Sequence, residues 1–119
     1  FEGVTSDVFT PMSQADLFIL PSSWEGMPMT IIEAMGTGLS VIASRVGGVP
    51  DMVTDGESGL LIEPTAEALA AAIEKLVRNE ALRQSLGKKA REEAQRFSLP
   101  AMALGYEALY ASVTEGAPL

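Results

Sequence analysis

Asp16-Leu17-Phe18-Ile19-Leu20-Pro21 runs into Ser22-Ser23-Trp24-Glu25-Gly26-Met27-Pro28 and on through Met29-Thr30-Ile31-Ile32-Glu33-Ala34-Met35-Gly36-Thr37-Gly38 to Ser40-Val41-Ile42-Ala43-Ser44. This succession decides the fold. A short apolar run closed by proline suits a fully buried strand of a parallel sheet. Pro28 fits the first turn of a helix, where its missing N–H costs nothing. The pattern predicts that helix over 29–35, stopped by Gly36-Thr37-Gly38 as a C-cap. A second buried strand follows over 40–44. Strand, helix, strand at this spacing is the unit of a layered α/β fold with a parallel sheet.

Working outward, Asp7 is placed to cap a short helix over 8–13. After the second strand come Gly47-Gly48-Val49-Pro50 and a short helix around 51–53. Asp55-Gly56 and Ser58-Gly59 mark turns, and Leu60-Leu61-Ile62 is a third strand. Thr65 caps a predicted helix over 66–78, with Leu69, Ile73, Leu76 and Val77 at helical spacing. Residues 81–86 and 88–96 continue helically around Gly87. Ser98 and Pro100 open a last helix with Leu99, Met102, Tyr106, Leu109 and Val113 along one face; residues 115–119 read as a frayed tail. The expected layout is one partial domain over 1–119: an α/β part (1–64), a helical part (65–114) and the tail (115–119).

Composition narrows the chemistry. The chain has 119 residues, 47% of them apolar and 20% charged, which suits a folded domain. It has no His and no Cys. His-based triads, Cys nucleophiles, disulfides and Cys/His zinc sites are therefore excluded within it. Carboxylates, hydroxyls, backbone amides and a few cations remain. The net charge is −8, divided as −10 over residues 1–74 and +2 over residues 75–119. That balance argues against nucleic acid as a partner. No stretch approaches the ~20 apolar residues of a transmembrane helix. Lack of Cys and of an export signal favours a cytoplasmic setting. Phe1-Glu2-Gly3-Val4 carries no initiator Met and reads as a segment entered in mid-course.

In an open parallel sheet, ligands bind beyond the C-terminal ends of the strands. Two loops qualify, 21–28 and 45–50, and each leads into a helix. A helix start offers free N–H groups and partial positive charge, so an anion such as phosphate can dock at 26–30 without Lys or Arg. Arg45 is the sole cation of residues 1–74. Glu25 in the loop and Glu33 in the helix form a Glu-x7-Glu pattern. A fixed carboxylate suits a sugar or ribose diol, whose two hydroxyls it can accept. Equally, Glu33 fits the helix dipole and Glu25 a solvated loop. Gly36-Thr37-Gly38 ends a helix, unlike a dinucleotide fingerprint, which opens one. Gly47-Gly48 suits either a ligand loop or a tight turn. Trp24 suits either a stacking platform or a loop anchor. Met27, Met29, Met35 and Met52 read as packing.

From Ser22 to Gly38 the chain resembles the carboxy-terminal, donor-binding domain of retaining glycosyltransferases of family 4, which have the two-domain GT-B fold. The resemblance extends over nearly the whole chain. Phe1-Glu2-Gly3-Val4 is similar to the family's Phe-x-Gly segment, and Ala15 to Ser22 to its buried strand. Val41 to Ser44 with Gly47-Gly48-Val49-Pro50-Asp51 is similar to the next strand and loop. Asp55-Gly56 with Gly59-Leu60-Leu61, then Phe97-Ser98 and Tyr106, complete it. The resemblance implies a Rossmann-like parallel sheet with flanking helices and a helical C-terminal end. It implies Glu25 beside the donor sugar, in the catalytic position, and Glu33 on the ribose hydroxyls of the nucleotide. It implies that Gly26, Met27, Pro28 and Met29 line the sugar and diphosphate, with Thr30 and Ile31 near the phosphates and nucleoside.

On the same footing, the activity is transfer of a glycosyl group from a nucleotide-sugar to an acceptor, with retention and without a metal or other cofactor. The acceptor, whether sugar, lipid or small molecule, is not readable here. The family's Arg/Lys clamp on the diphosphate and its amino-terminal domain fall on segments absent from these 119 residues. The chain alone is therefore expected to be inactive, and marginally stable or self-associating. In the whole enzyme, a place at the inner membrane face is compatible with lipid-directed relatives. Two other classes stay open. One is a nucleotide-sugar epimerase or hydrolase of the same fold. The other is a non-catalytic sugar-, nucleotide- or protein-binding module, which an exposed apolar strip on the last helix would favour.

Overall fold

The computed structural model describes residues 3–114. Leu17–Leu20, Ser40–Ser44 and Gly59–Ile62 form strands β1, β2 and β3 of one parallel sheet, in the order β1-β2-β3. Leu17 lies opposite Ser40, and Val41 opposite Gly59. Central β2 is buried at all five positions, and its side chains alternate between two cores. Val41 and Ala43 face a core built with Ile31, Ala34, Met35 and Val49. Ile42 faces one built with Leu60, Ala72, Leu76 and Leu86.

The helices are α1 (Phe9–Ser13), α2 (Met29–Thr37), α3 (Ala66–Val77), α4 (Glu80–Ala94) and α5 (Leu99–Thr114), with 3-10 turns at Val49–Asp51 and Gln95–Phe97. Side-chain oxygens start three of them. Asp7 accepts the N–H groups of Phe9 and Thr10, each at 3.1 Å. Thr65 accepts that of Ala68 at 3.2 Å and Asn79 that of Leu82 at 2.9 Å. α4 serves both cores, through Leu86 on one side and Ala90 and Ala94 on the other.

Several expectations shift. β1 is half-buried rather than fully buried: it and β3 are both edges among the described strands, but α3 and α4 pack on β3, which is largely buried, whereas β1 is covered chiefly by α2. Pro28 is the extended N-cap of α2, not part of its first turn. α2 runs through Gly36 to Thr37, and Gly38 alone, at φ +84°, makes the left-handed stop. The short helix predicted around 51–53 is the 3-10 turn Val49–Asp51. Val77 is exposed, and Ala72 takes the inward place on α3. Gly87 lies in the middle of an unbroken α4. A Cβ there would meet the Gly38 carbonyl oxygen at 2.2 Å, so glycine lets α4 cross the end of α2 at backbone contact.

No residue of α5 is buried. It packs chiefly on Gln95–Phe97 and leaves Leu99, Met102, Tyr106, Leu109 and Val113 exposed. The described chain is correspondingly elongated, 53 × 29 × 29 Å. No helix among the described residues is long and apolar enough to cross a membrane. The predicted tail at 115–119 and the first two residues lie outside the described residues.

Candidate functional site

The loops after β1 and β2 meet at the C-terminal edge of the sheet. In the first loop the Ser22 hydroxyl donates to Glu25 Oε1 at 2.6 Å, a charge-assisted bond that orients the carboxylate. The Gly48 N–H of the second loop donates to the Gly26 carbonyl at 2.9 Å. Gly47 adopts φ +52°, and a Cβ there would fall 1.7 Å from the Glu25 carbonyl oxygen. A Cβ on Gly48 would fall 2.4 Å from the Gly26 carbonyl oxygen. The tight turn and the ligand-loop position are thus compatible, since these glycines admit the first loop's backbone against the second.

The second loop is firmly held. Val49, Met52 and Val53 are buried. Arg45 pairs with Asp55 at 2.5 Å, and Asp55 also accepts the Leu61 N–H at 3.0 Å. At the far end, the Arg96 guanidinium donates to the carbonyls of Asp51 at 2.5 Å and Met52 at 3.1 Å. Arg45 is therefore engaged in holding its own loop.

The first loop leads into α2. No side chain caps the α2 N-terminus, so the amides of Met29 and Thr30 have no side-chain acceptor. The Ile31 N–H donates to the Pro28 carbonyl at 3.1 Å. Met27, Met29 and Thr30 are exposed, and Glu25, Pro28 and Glu33 are half-buried. Glu33 lies four residues beyond Met29, hence on the same face of α2, one turn or ~6 Å along its axis. The three ion pairs among the described residues join Arg45 to Asp55, Arg78 to Glu74 and Lys89 to Glu92, so neither Glu25 nor Glu33 is tied to a cation.

Glu25, Gly26, Met27, Pro28, Met29, Thr30 and Glu33 therefore gather about one helix start. Ile31 does not join them. Its side chain is fully buried with Ala34 and Met35 on the inward face of α2, and its amide is already bonded. Trp24 is 80% exposed, which removes the loop-anchor alternative. Ser22 was not singled out from the sequence, although its place three residues before Glu25 is the spacing at which a hydroxyl reaches a carboxylate. A hollow of about 590 Å³ lined by Thr37, Gly38, Lys88, Arg91, Glu92 and Gln95 lies at the other end of α2 and contains none of the expected site residues. Among the described residues, no three His, Cys, Asp or Glu side chains come together as a metal-binding group.

Comparison with known proteins points the same way. A family model described as glycosyl transferases group 1 matches residues 2–93. An uncharacterized glycosyltransferase of Methanocaldococcus jannaschii is 34% identical over 110 residues, covering 92% of this chain and 31% of its own. A D-inositol 3-phosphate glycosyltransferase of Corynebacterium aurimucosum is 39% identical over 98 residues, covering 82% and 23%. Among solved structures, sucrose-phosphate synthase of Thermosynechococcus elongatus superposes with a TM-score of 0.80 at 38% identity, covering 90% of this chain and 27% of its own. Anabaena HepE in complex with UDP and glucose superposes at 0.87 with 27% identity, covering 94% and 31%. The chain spans less than a third of the length of each. With residues 2–93 of its 119 matched and the sheet and helices superposing, the chain belongs to the group 1 glycosyl transferases, as a domain of the carboxy-terminal GT-B type.

Proposed function

We propose that this chain is the donor-binding part of a retaining family 4 glycosyltransferase and that it holds a nucleotide-sugar at the start of α2. The observation that carries this reading is the α2 N-terminus without a side-chain cap, at the C-terminal edge of a parallel sheet, with Glu25 before it and Glu33 one turn into it. Free amides and the helix dipole favour a diphosphate there. Glu33, one turn along the same face, is placed to accept the ribose hydroxyls of a nucleotide whose phosphates lie at Met29 and Thr30. Glu25, steered by Ser22, is the carboxylate for the donor sugar and the catalytic group of the reading. Gly26, Met27 and Pro28 line the path between them. Ile31 serves as core. Solved HepE complexes with UDP and with UDP-glucose, at 26% and 27% identity, favour a nucleotide-sugar over other anions.

The diphosphate is held without a metal on this reading. The helix dipole contributes only ~0.3–1 kcal/mol, so a cationic clamp comes from outside these residues. Binding by the chain alone is then weak, with Kd near ~1 mM, and turnover needs the acceptor-binding remainder of the enzyme. Titration with UDP-glucose, followed by amide NMR, tests the proposal. Glu33→Gln should weaken binding at least about tenfold, the worth of one charge-assisted hydrogen bond. Unchanged affinity removes Glu33 from the site.

The exposed apolar strip of α5 favours one second reading, a non-catalytic interaction module. A chain that binds no nucleotide-sugar but self-associates, and turns monomeric on Leu109→Lys, would establish that reading instead.

A further inference from the structure

We infer that the Gly47-Gly48 loop is a positioning element that fixes where Glu25 sits, acting through backbone contact and not by touching the donor. The inference rests on the donor-site reading above for its functional consequence, and on geometry alone for the coupling itself. The contact is made entirely of main chain. Gly48 donates to the Gly26 carbonyl at 2.9 Å, and the missing Cβ atoms of Gly47 and Gly48 would fall 1.7 and 2.4 Å from the carbonyl oxygens of Glu25 and Gly26.

The direction of the coupling follows from how each loop is anchored. The second loop and the turn that follows it, residues 45–53, have three buried apolar side chains, Val49, Met52 and Val53, with the Arg45–Asp55 pair and the Arg96 guanidinium as further ties. The first loop has no buried residue between Pro21 and Pro28. Its Ser22–Glu25 bond is internal to it. The firm loop is thus the abutment and the exposed loop rests on it. Arg96, 45 residues beyond Asp51, belongs to the same support.

Alanine at position 48 must move the Gly26 carbonyl from 2.4 Å to an ordinary contact near 3.4 Å, a shift of about 1 Å. A displacement of that size takes a hydrogen-bonding group out of reach, and the loss of one charge-assisted bond is worth about tenfold or more in affinity. Gly56 supplies a stringent control: its φ is +78°, so alanine there carries a backbone strain that Gly48, at φ −83°, does not, yet nothing lies within 4 Å of its Cβ.

The test uses two readouts on the 119-residue chain. Gly48→Ala should move the amide NMR signals of Glu25 and Gly26 and weaken UDP-glucose binding about tenfold. Gly56→Ala should leave both unchanged. A folded Gly48→Ala chain whose Glu25 and Gly26 signals stay in place overturns the inference, as does one that moves them and keeps full UDP-glucose affinity. If the wild-type chain binds no UDP-glucose yet Gly48→Ala moves those signals, the coupling stands and the donor-site reading falls. Should Gly48→Ala not fold, the wild-type chain decides. A through-hydrogen-bond coupling between the Gly48 nitrogen and the Gly26 carbonyl carbon supports the contact, and its absence overturns it.

Discussion

Gly87→Ala should destabilise this protein, although the same change in a helix interior ordinarily stabilises by up to ~1 kcal/mol. Position 87 is mid-helix in α4, so propensity alone favours alanine. Its Cβ, however, would stand 2.2 Å from the Gly38 carbonyl oxygen, 3.2 Å from the Gly38 carbonyl carbon and 3.4 Å from the Ser40 nitrogen. All three are main chain, so no side chain can turn away. Reaching an ordinary 3.4 Å from the oxygen requires α4 to retreat by about 1.2 Å. That retreat loosens Leu86, Ala90 and Ala94, through which α4 closes both cores. Overpacking of this kind costs ~1–3 kcal/mol. Because every contact is rigid main chain, the cost lies in the upper part of that range, ~2–3 kcal/mol, and subtracting a propensity gain of ~1 kcal/mol leaves a net loss of ~1–2 kcal/mol. For a chain of this size each kcal/mol is worth roughly 3–6 °C in Tm, so the expected drop is ~3–12 °C. Gly105→Ala is the matched control. It lies in α5 with nothing within 4 Å of its Cβ, and should raise helix content without lowering Tm. Thermal and urea unfolding followed by circular dichroism would measure both. A Gly87→Ala protein as stable as the parent, or more so, refutes the claim that backbone contact fixes the α2–α4 crossing.

Two further outcomes follow from named contacts. Arg96→Ala frees the Asp51 and Met52 carbonyls and removes the guanidinium from the Phe97 ring, 4.7 Å away, so urea unfolding should show a loss of ~1–2 kcal/mol; a change under a few tenths would contradict that anchoring role. Asp7 is held below its ordinary 3.8, first by the side-chain hydrogen bond from Thr10 and then by the Thr10 amide. A depressed carboxylate pKa stabilises the folded state above the unfolded value and loses that contribution as pH falls through the folded one. The Phe9 and Thr10 amide signals should therefore titrate with a midpoint below 3.8, and a midpoint at or above 3.8 would contradict the cap.

The central strand was legible to the residue because Val41-Ile42-Ala43 puts apolar side chains on both faces, as suits a strand covered on both sides. The run Leu17-Phe18-Ile19-Leu20 has the same character, yet it lies at the edge of the described sheet. Composition reports that a strand is apolar, not how many neighbours it has. The sequence shows the helix continuing around Gly87 but not why glycine stands there, because propensity speaks only of the helix it occupies. Its partner, Gly38, stands 49 positions earlier. Glu25, Gly26 and Glu33 were legible because one loop and one helix turn bring them together. The resemblance implies Ile31 near the nucleoside, whereas its spacing to Ala34 and Met35 is that of the inward face, where its side chain is buried. The bond between Gly48 and Gly26 spans 22 residues and carries no side chain, so no pattern in the sequence could announce it.

On the proposed function, a nucleotide-sugar docks at the start of α2. Mapping amide chemical shifts while UDP-glucose is added to the 119-residue chain tests it most directly. The predicted result is saturable movement of the Gly26, Met27, Met29, Thr30 and Glu33 signals, with the α4 signals unmoved. No movement up to ~10 mM, ten times the expected Kd, or movement confined to Thr37, Gly38, Lys88 and Arg91 at the far end of α2, would contradict it.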